Sequence, residues 1–302
     1  MSSPPLALHD PDDFPTLYRA TNRSSLESQV RFLRALRIRL SCLLLATVGG
    51  AIGFSIFGFA VGGIVAFLSF VVALSAGLYL ETAKPDRAWY EGRAAAESVK
   101  TLAWRFAVKG ESFDGGSDEV ADSNFIAELK SILTDLVALD AEPNDGDRQI
   151  TSAMRNARGA SFDDRRDLYR SGRIVDQQGW YASKANWNKV RSQRWFAISV
   201  VAEGFGVLAA ALMAFGVMQI DFLGVIGAVA TAATAWTQAK QHSNLATAYS
   251  VTALELASVL SELDSLTTEP RWAKFVGQAE EAISREHILW RASRGIRIKN
   301  RG

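Results

Sequence analysis

Two long apolar blocks interrupt a sequence that is otherwise rich in charged residues. The first block, residues 40–80, contains no Asp, Glu, Lys or Arg. As one helix it would measure roughly 60 Å, about twice the ~30 Å hydrocarbon core of a bilayer. The block therefore predicts two membrane crossings folded as a hairpin, at about 40–57 and 63–80. The glycines from Gly58 to Gly63 supply the predicted turn between them.

The second apolar block, residues 195–239, contains two acidic residues, Glu203 and Asp221. Asp221 lies where a turn is needed; at the bilayer midplane a carboxylate would cost about 3 kcal/mol, but at the outer interface it costs little. The block predicts crossings at about 196–218 and 222–239. The predicted fold class is an all-α membrane protein with two transmembrane helical hairpins. The competing interpretation, a soluble protein with two buried hairpins, requires unusually long uncharged core helices.

Basic residues flank both blocks, and the two predicted outer loops contain neither Lys nor Arg. The flanking cations are Arg31, Arg34, Arg37, Arg39, Lys84, Arg87, Arg93, Lys184, Lys189, Arg191, Arg194 and Lys240. Short cytoplasmic segments carry an excess of Lys and Arg. The sequence therefore predicts a multi-pass protein of the inner (plasma) membrane, with the N- and C-termini and the central segment in the cytoplasm.

The segments around the two blocks follow the same order, which predicts a tandem repeat. A basic helical stretch precedes each hairpin, and an Ala-, Leu- and Glu-rich helix and a shorter amphipathic helix follow it. These helices are predicted to form a cytoplasmic bundle. The predicted parts are a flexible leader, a first two-transmembrane repeat, a linker, a second two-transmembrane repeat and a basic tail, at residues 1–16, 17–142, 143–163, 164–293 and 294–302.

Composition and motifs argue against catalysis. The 302 residues include 33 Lys and Arg and 32 Asp and Glu, so the net charge of +1 gives no general attraction for nucleic acid. His9, His242 and His287 lack metal-ligand spacing, and Cys42, the single cysteine, excludes an internal disulfide. Nucleotide-binding and nucleophile motifs are missing from the sequence. We therefore expect no enzyme, no cofactor, no metal and no nucleic-acid partner.

Small residues recur at four-residue spacing in the predicted crossings, where they let helix backbones approach closely. The candidate helix-packing residues are Gly49, Gly53, Gly206, Ala210, Gly224 and Ala228. The sequence leaves open whether these residues pack within a hairpin or between subunits.

Glu203 is the acidic residue inside a predicted crossing, eight positions after Trp195. Intramembrane carboxylates commonly face a bundle interior or water. Glu203 is therefore the candidate polar or pore-facing residue. Alternatively, it extends toward the inner surface or bonds a neighbouring helix.

Aromatic residues mark the ends of the predicted crossings and the helices next to them. Trp195 and Trp236 lie where interfacial aromatics are expected. Trp180 and Trp187 are seven residues apart and share a helix face, and Trp89 and Tyr90 follow the first hairpin. We expect the aromatics outside the membrane to pack helices together; stacking on a ligand is the alternative.

Two short segments resemble a known family. Asp86–Glu97, directly after the first hairpin, resembles the post-membrane segment of bacterial SLATT proteins, the SMODS- and SLOG-associating two-transmembrane domains. Gln177–Tyr181 with Lys184 resembles the entry helix of such domains. The resemblance covers most of residues 17–293 as two copies. The second copy departs from the pattern at residues 244–249, which lack the Trp and Arg of the first.

The resemblance implies a membrane effector of a prokaryotic conflict (defence) system. Such an effector oligomerises and permeabilises or depolarises the inner membrane when a sensor or nucleotide signal arrives. The implied partners are the lipid bilayer, further copies of the chain and a nucleotide-sensing or signalling protein. The alternative function is a non-conducting membrane scaffold whose cytoplasmic helices dock partner proteins. A transporter fits poorly, because charged pairs and broken helices are missing from the predicted crossings.

Overall fold

In the computed structural model the chain is almost entirely helical. The described residues are 6–51, 55–56, 59–134, 148–217 and 222–293, with side chains left out at 55–56, 59 and 285–293. The predicted all-α class is confirmed, apart from one antiparallel pair of two-residue strands that joins Ser55 to Ala60 and Ile56 to Phe59. Gly53, Asp221, residues 143–147 of the predicted linker and the predicted basic tail at 294–302 lie outside the described residues.

The described part of the chain contains ten α-helices, two short strands and two short turns of other helix types. In chain order they are a 3-10 turn at Pro11–Asp13, α1 Thr16–Ala51, β1 Ser55–Ile56, β2 Phe59–Ala60, α2 Val61–Ala83, α3 Pro85–Ala107, α4 Asp118–Thr134, α5 Ser152–Gly159, α6 Phe162–Tyr169, a π-helical turn at Arg170–Val175, α7 Asp176–Ala214, α8 Leu223–Lys240, α9 His242–Leu263 and α10 Glu269–Ser293.

Local chemistry explains several of these boundaries. Lys84 (φ 42°) and Gln241 (φ 50°) adopt left-handed backbone conformations that end α2 and α8. Pro85 then opens α3, where its missing N–H costs no helical hydrogen bond. At α5 the side chain of Thr151 accepts a hydrogen bond from the Met154 N–H, which satisfies one of the free donors of the first turn.

The chain forms two compact units, and each takes segments from both repeats. The core unit comprises Met1–Ser28, Arg87–Ser183 and Ala248–Gly302. The apolar unit comprises Gln29–Asp86 and Lys184–Thr247, and therefore contains both predicted hairpins.

A cluster of large aromatic side chains fills the core unit. Trp104, Trp272 and Tyr169 are fully buried, and the Tyr169 ring meets the other two edge-on at centroid distances of 5.8 and 5.6 Å. The indole N–H of Trp272 donates a 2.8 Å hydrogen bond to the Val108 carbonyl. Burying large rings together in this way is typical of the interior of a water-soluble protein.

The segments predicted to be a leader and a linker contribute to that core. Leu8 and Phe14, which precede α1, are buried, and so is Met154 of α5. The Thr151 hydroxyl donates a 2.7 Å hydrogen bond to the Asp13 carbonyl and ties the two segments together. Isolated apolar side chains in proline- and acid-rich stretches carry no periodic signal, so the sequence did not indicate their burial.

The apolar unit has the opposite distribution of side chains. In α2 the buried residues are small (Gly62, Ser69 and Ala73), whereas large ones such as Phe67 and Leu74 are about two-thirds exposed, at 66% and 65%. Small residues inside and large apolar residues outside are expected where lipid is the solvent. This pattern supports membrane association of the unit.

Among the described residues, two helices are long and apolar enough to cross a bilayer. They are Val61–Ala83 and the continuous helical stretch Phe162–Ala214, which includes α7. The other two predicted crossings stay predictions. The described part of the first predicted crossing ends at Ala51. Helix α8 ends in Thr237, Gln238, Ala239 and Lys240, three of which are polar.

The predicted turn in the first hairpin was placed too late in the chain. Gly62 and Gly63 belong to α2, which begins at Val61. Glycine permits a turn, but it also permits two helices to approach closely. Gly62 lies in such a close contact between helices.

Candidate functional site

Helices α1 and α2 of the apolar unit touch at two glycines. A Cβ atom added to Gly49 would lie 2.8 Å from the Gly62 carbonyl oxygen and 3.1 Å from the Ala66 amide nitrogen. No side chain fits there without moving a backbone. The sequence singled out Gly49 but missed Gly62, whose position in the predicted turn hid its role.

The remaining small residues differ in their surroundings. A Cβ atom on Gly206 would lie 3.4 Å from Ile226 of α8, an ordinary packing distance. Gly224 has nothing within 4 Å of such an atom. Ala210 is exposed and Ala228 is half-buried. The small residues therefore do not form one continuous packed ridge within the chain.

Glu203 lies on the outer surface of the apolar unit. Its side chain is exposed. Its neighbours at helical spacing, Val200 and Val207, are 49% and 72% exposed. The carboxylate therefore lies within an exposed apolar stripe of α7 and does not face the packed interior of the single chain.

An apolar groove runs along the outside of the same unit between α7 and α8. It has a volume of about 750 Å³. Its walls include Ile198, Val201 and Phe205 from α7 and Ile226 and Val229 from α8. The groove begins within one helical turn of Trp195.

Cations and indole rings meet at the end of the unit where α7 begins its apolar stretch. The guanidinium carbon of Arg37 lies 5.3 Å from the centre of the Trp236 ring, and the Lys240 ammonium lies 5.7 Å from the same ring. Trp195 packs against Trp236 with centroids 6.2 Å apart. Trp195 and Trp236, both predicted interfacial aromatics, thus meet each other.

A second cation–aromatic contact lies close by on α7 and α9. The Arg191 guanidinium stacks 4.3 Å from the Trp187 ring centre, and that ring packs edge-on against His242 at 5.5 Å. His242 Nδ1 lies 2.8 Å from the Asn188 side-chain oxygen. Burial, and next the charges of Lys240 and Arg191, lower the pKa of His242. The imidazole is therefore neutral at pH 7 and donates from Nδ1.

The other singled-out aromatics belong to the core unit. Trp89 packs on Tyr90 with centroids 4.7 Å apart. Trp180 contacts Tyr181 and, from α9, Tyr249, at 5.1 and 5.5 Å. Trp180 and Trp187 share a helix face, yet they belong to different units.

A buried polar network in the core unit escaped the sequence interpretation. Arg173 donates two hydrogen bonds to the Glu280 carboxylate, of 2.8 and 2.6 Å, and both side chains have zero exposure. Tyr169 and Thr101 also donate to Glu280, at 3.0 and 2.9 Å. Although burial opposes its charge, the Glu280 carboxylate raises the pKa of Arg173. The partners lie 107 residues apart, so local spacing gave no signal.

The π-helical turn at Arg170–Val175 positions this network. The wider turn places Tyr169 and Arg173 toward the same carboxylate, and π-helical insertions often occur at sites under functional constraint. Within the described part of the chain no group of three or more His, Cys, Asp or Glu side chains is placed to hold a metal ion. The network is an ion pair with hydroxyl donors, and the Arg173 Nη1 atom is buried in it without a hydrogen-bond partner among the described residues.

Comparison with protein families gives two matches in tandem. Residues 15–166 match the model described as SMODS and SLOG-associating 2TM effector domain 3. Residues 169–290 match the one described as SMODS and SLOG-associating 2TM effector domain 1. These matches confirm the resemblance found at Asp86–Glu97 and Gln177–Tyr181. Comparison with curated proteins and with solved structures gave no match.

Proposed function

The chain belongs to the family of SMODS and SLOG-associating two-transmembrane (SLATT) effector domains, of which it carries two, and from this premise we propose that it permeabilises the bacterial inner membrane in a conflict (defence) system. Subunits assemble, and the assembly depolarises the cell when a signal arrives. A nucleotide-sensing or signalling protein is the proposed source of that signal. The chain acts without catalysis or a cofactor.

The proposed topology has four crossings, with both termini in the cytoplasm. The apolar unit contains ten Lys or Arg and four Asp or Glu, and all ten cations flank the two apolar blocks. Lys and Arg accumulate in short cytoplasmic segments. The core unit, with its water-soluble type of interior, then forms the cytoplasmic bundle.

The main support for the proposal is that the Glu203 side chain is exposed on α7. It lies eight residues beyond Trp195, which is roughly 12 Å along the helix axis and therefore well inside the hydrocarbon. An ionised side chain facing lipid there would cost about 3 kcal/mol. A second subunit against the Val200–Val207 stripe would remove Glu203 from lipid. In a ring of subunits these carboxylates line a water-filled path and favour cations.

The test is the membrane potential of bacterial cells that express the full chain from an inducible promoter. We expect rapid depolarisation with the natural sequence and much slower depolarisation with Glu203→Gln. Glu81→Gln is the matched control, because Glu81 is an exposed acid near the inner end of α2 and the substitution removes the same charge. Equal membrane insertion of all three proteins must be verified by immunoblotting.

Two outcomes would contradict the proposal. One is an unchanged potential in cells that insert the natural chain. The other is an identical effect of Glu203→Gln and Glu81→Gln, which would leave Glu203 without a role in conduction.

A non-conducting scaffold is the second candidate, and one surface favours it. Val251 and Leu254, one helical turn apart on α9 of the core unit, are 50% and 71% exposed. Exposed apolar pairs of this kind mark protein-interaction surfaces when they form part of a larger patch. A scaffold predicts partner capture without depolarisation, so the same experiment separates the two functions.

A further inference from the structure

Three cations from three different helices lie at the inner end of the apolar unit, where the charges of Arg37 and Arg191 both act on Lys240. Arg37 comes from α1, Arg191 from α7 and Lys240 from the last position of α8. Arg37 and Lys240 share the Trp236 ring, at 5.3 and 5.7 Å. Among the described residues none of the three lies within ion-pair distance of a carboxylate.

The electrostatics of this cluster are unfavourable without an anion. Burial, and then the like charges of Arg37 and Arg191, lower the pKa of Lys240. Of the four acids in the apolar unit, Glu203 and Asp221 belong to the second apolar block, and neither Glu81 nor Asp86 forms an ion pair with any of the three cations in the described structure. Like charges brought together in this way attract a ligand of the opposite charge.

The groove between α7 and α8 starts beside the cluster. Ile198 and Val201 form its wall one to two helical turns beyond Trp195, and Trp195 packs against Trp236. An apolar channel that opens next to paired indole rings and cations matches an amphiphile with one charged end and a long hydrocarbon chain. Basic pockets between transmembrane helices on the cytoplasmic side bind anionic lipid headgroups.

We propose that the apolar unit binds one anionic phospholipid, with its phosphate between Arg37, Arg191 and Lys240 and one acyl chain in the α7–α8 groove. Arg presents a planar fork of donors suited to phosphate, and the Lys ammonium adds a point charge. The site rests on the proposed bilayer placement of the unit. It does not rest on conduction.

The test measures lipid binding to the full-length chain in a non-ionic detergent, by thermal unfolding against added lipid. Dioleoyl-phosphatidylglycerol is the probe and dioleoyl-phosphatidylcholine is the uncharged control. We expect stabilisation by the first lipid only. Inorganic phosphate, at equal concentration, tests whether a soluble anion alone is enough. We expect it to stabilise the chain only slightly, because it cannot fill the groove.

Matched variants separate a built site from general attraction. Arg37→Gln with Lys240→Gln is compared with Lys189→Gln with Arg194→Gln, two exposed cations of α7, so both pairs remove the same charge. We expect the first pair to bind phosphatidylglycerol roughly tenfold more weakly than the second, the loss expected for about one charge-assisted hydrogen bond. Val201→Trp fills the groove and weakens binding, whereas Val217→Trp, at an exposed position outside the groove, does not.

Three results would overturn the proposal. They are equal weakening by both cation pairs, equal binding of the two lipids, and equal stabilisation by phosphate and by phosphatidylglycerol. Because the assay records no ion flux, a failure here leaves the proposed conduction standing, and a failure of conduction leaves lipid binding intact.

Discussion

Arg173 and Glu280 place two charges at zero exposure inside the core unit. A buried pair adds little net stability, but removing one partner leaves an uncompensated charge. Arg173→Met should therefore lower the free energy of unfolding by about 3–5 kcal/mol. Thermal and denaturant unfolding of the full chain in detergent measure the change.

The control for this substitution is a surface pair of the same chemistry. Arg155 donates to Asp122 at 2.7 Å, but its side chain is 51% exposed. Arg155→Met should cost less than about 1 kcal/mol. A second variant, Arg173→Met with Glu280→Leu, should recover part of the lost stability. Equal losses of unfolding free energy in Arg173→Met and Arg155→Met would show that breaking the buried pair costs no more than breaking the surface pair.

His242 should make stability depend on pH. Its pKa is lower in the folded chain than in the unfolded chain, where it is about 6.5. The unfolded state therefore binds more protons as the pH falls through and below about 6.5, and stability declines in that window. His242→Gln should remove this part of the pH dependence, as measured by melting temperature from pH 8 to pH 5. A natural-sequence profile that the variant reproduces would refute the assignment.

At the scale of one helix pair, two adjacent glycines of α1 should respond in opposite ways. A methyl group on Gly49 would meet the Gly62 carbonyl oxygen at 2.8 Å, whereas one on Gly50 would have nothing within 4 Å. Gly49→Ala should destabilise by about 1–3 kcal/mol through forced separation of α1 and α2. Gly50→Ala should stabilise by up to about 1 kcal/mol through helix propensity.

Melting of the two glycine variants in detergent, side by side, decides the question. Stabilisation by both substitutions would mean that α1 and α2 do not approach closely at Gly49. Because both changes add the same methyl group to the same helix, differences in composition do not complicate the comparison.

Elements were predictable where one local signal dominates. The predicted crossing at 63–80, which lies within α2, follows from the absence of charge at residues 40–80 alone. Gly62 was misassigned because glycine serves turns and close packing equally well. The α5 helix was overlooked because eight residues are too few for a periodic apolar pattern to stand out.

Contacts between distant segments were beyond the sequence. Nothing local links Arg173 to Glu280, and the orientation of Glu203 on α7 depends on which face of the helix its neighbours cover. The cations around Trp236 were recognised as topology signals, but their meeting on one ring required the fold. Sequence patterns predict which face of a helix is apolar, but they do not predict which segment of the chain packs against that face.

For the whole molecule, the interleaving of the two repeats makes each half dependent on the other. The core unit needs residues from α3 and from α10, and the apolar unit needs α2 and α8. Residues 1–147 and 148–302, expressed separately, should each be unstable, and expressed together they should copurify from detergent extracts. A cooperative melt of residues 1–147 alone would contradict this expectation.

The same interleaving constrains how such a chain changes over generations. After a duplication, one copy is ordinarily free to drift while the other keeps the ancestral role. Here the loss of either copy would leave both compact units without part of their interior, so selection preserves the pair together. Each copy can still specialise, and the two halves match two different domain models, domain 3 and domain 1.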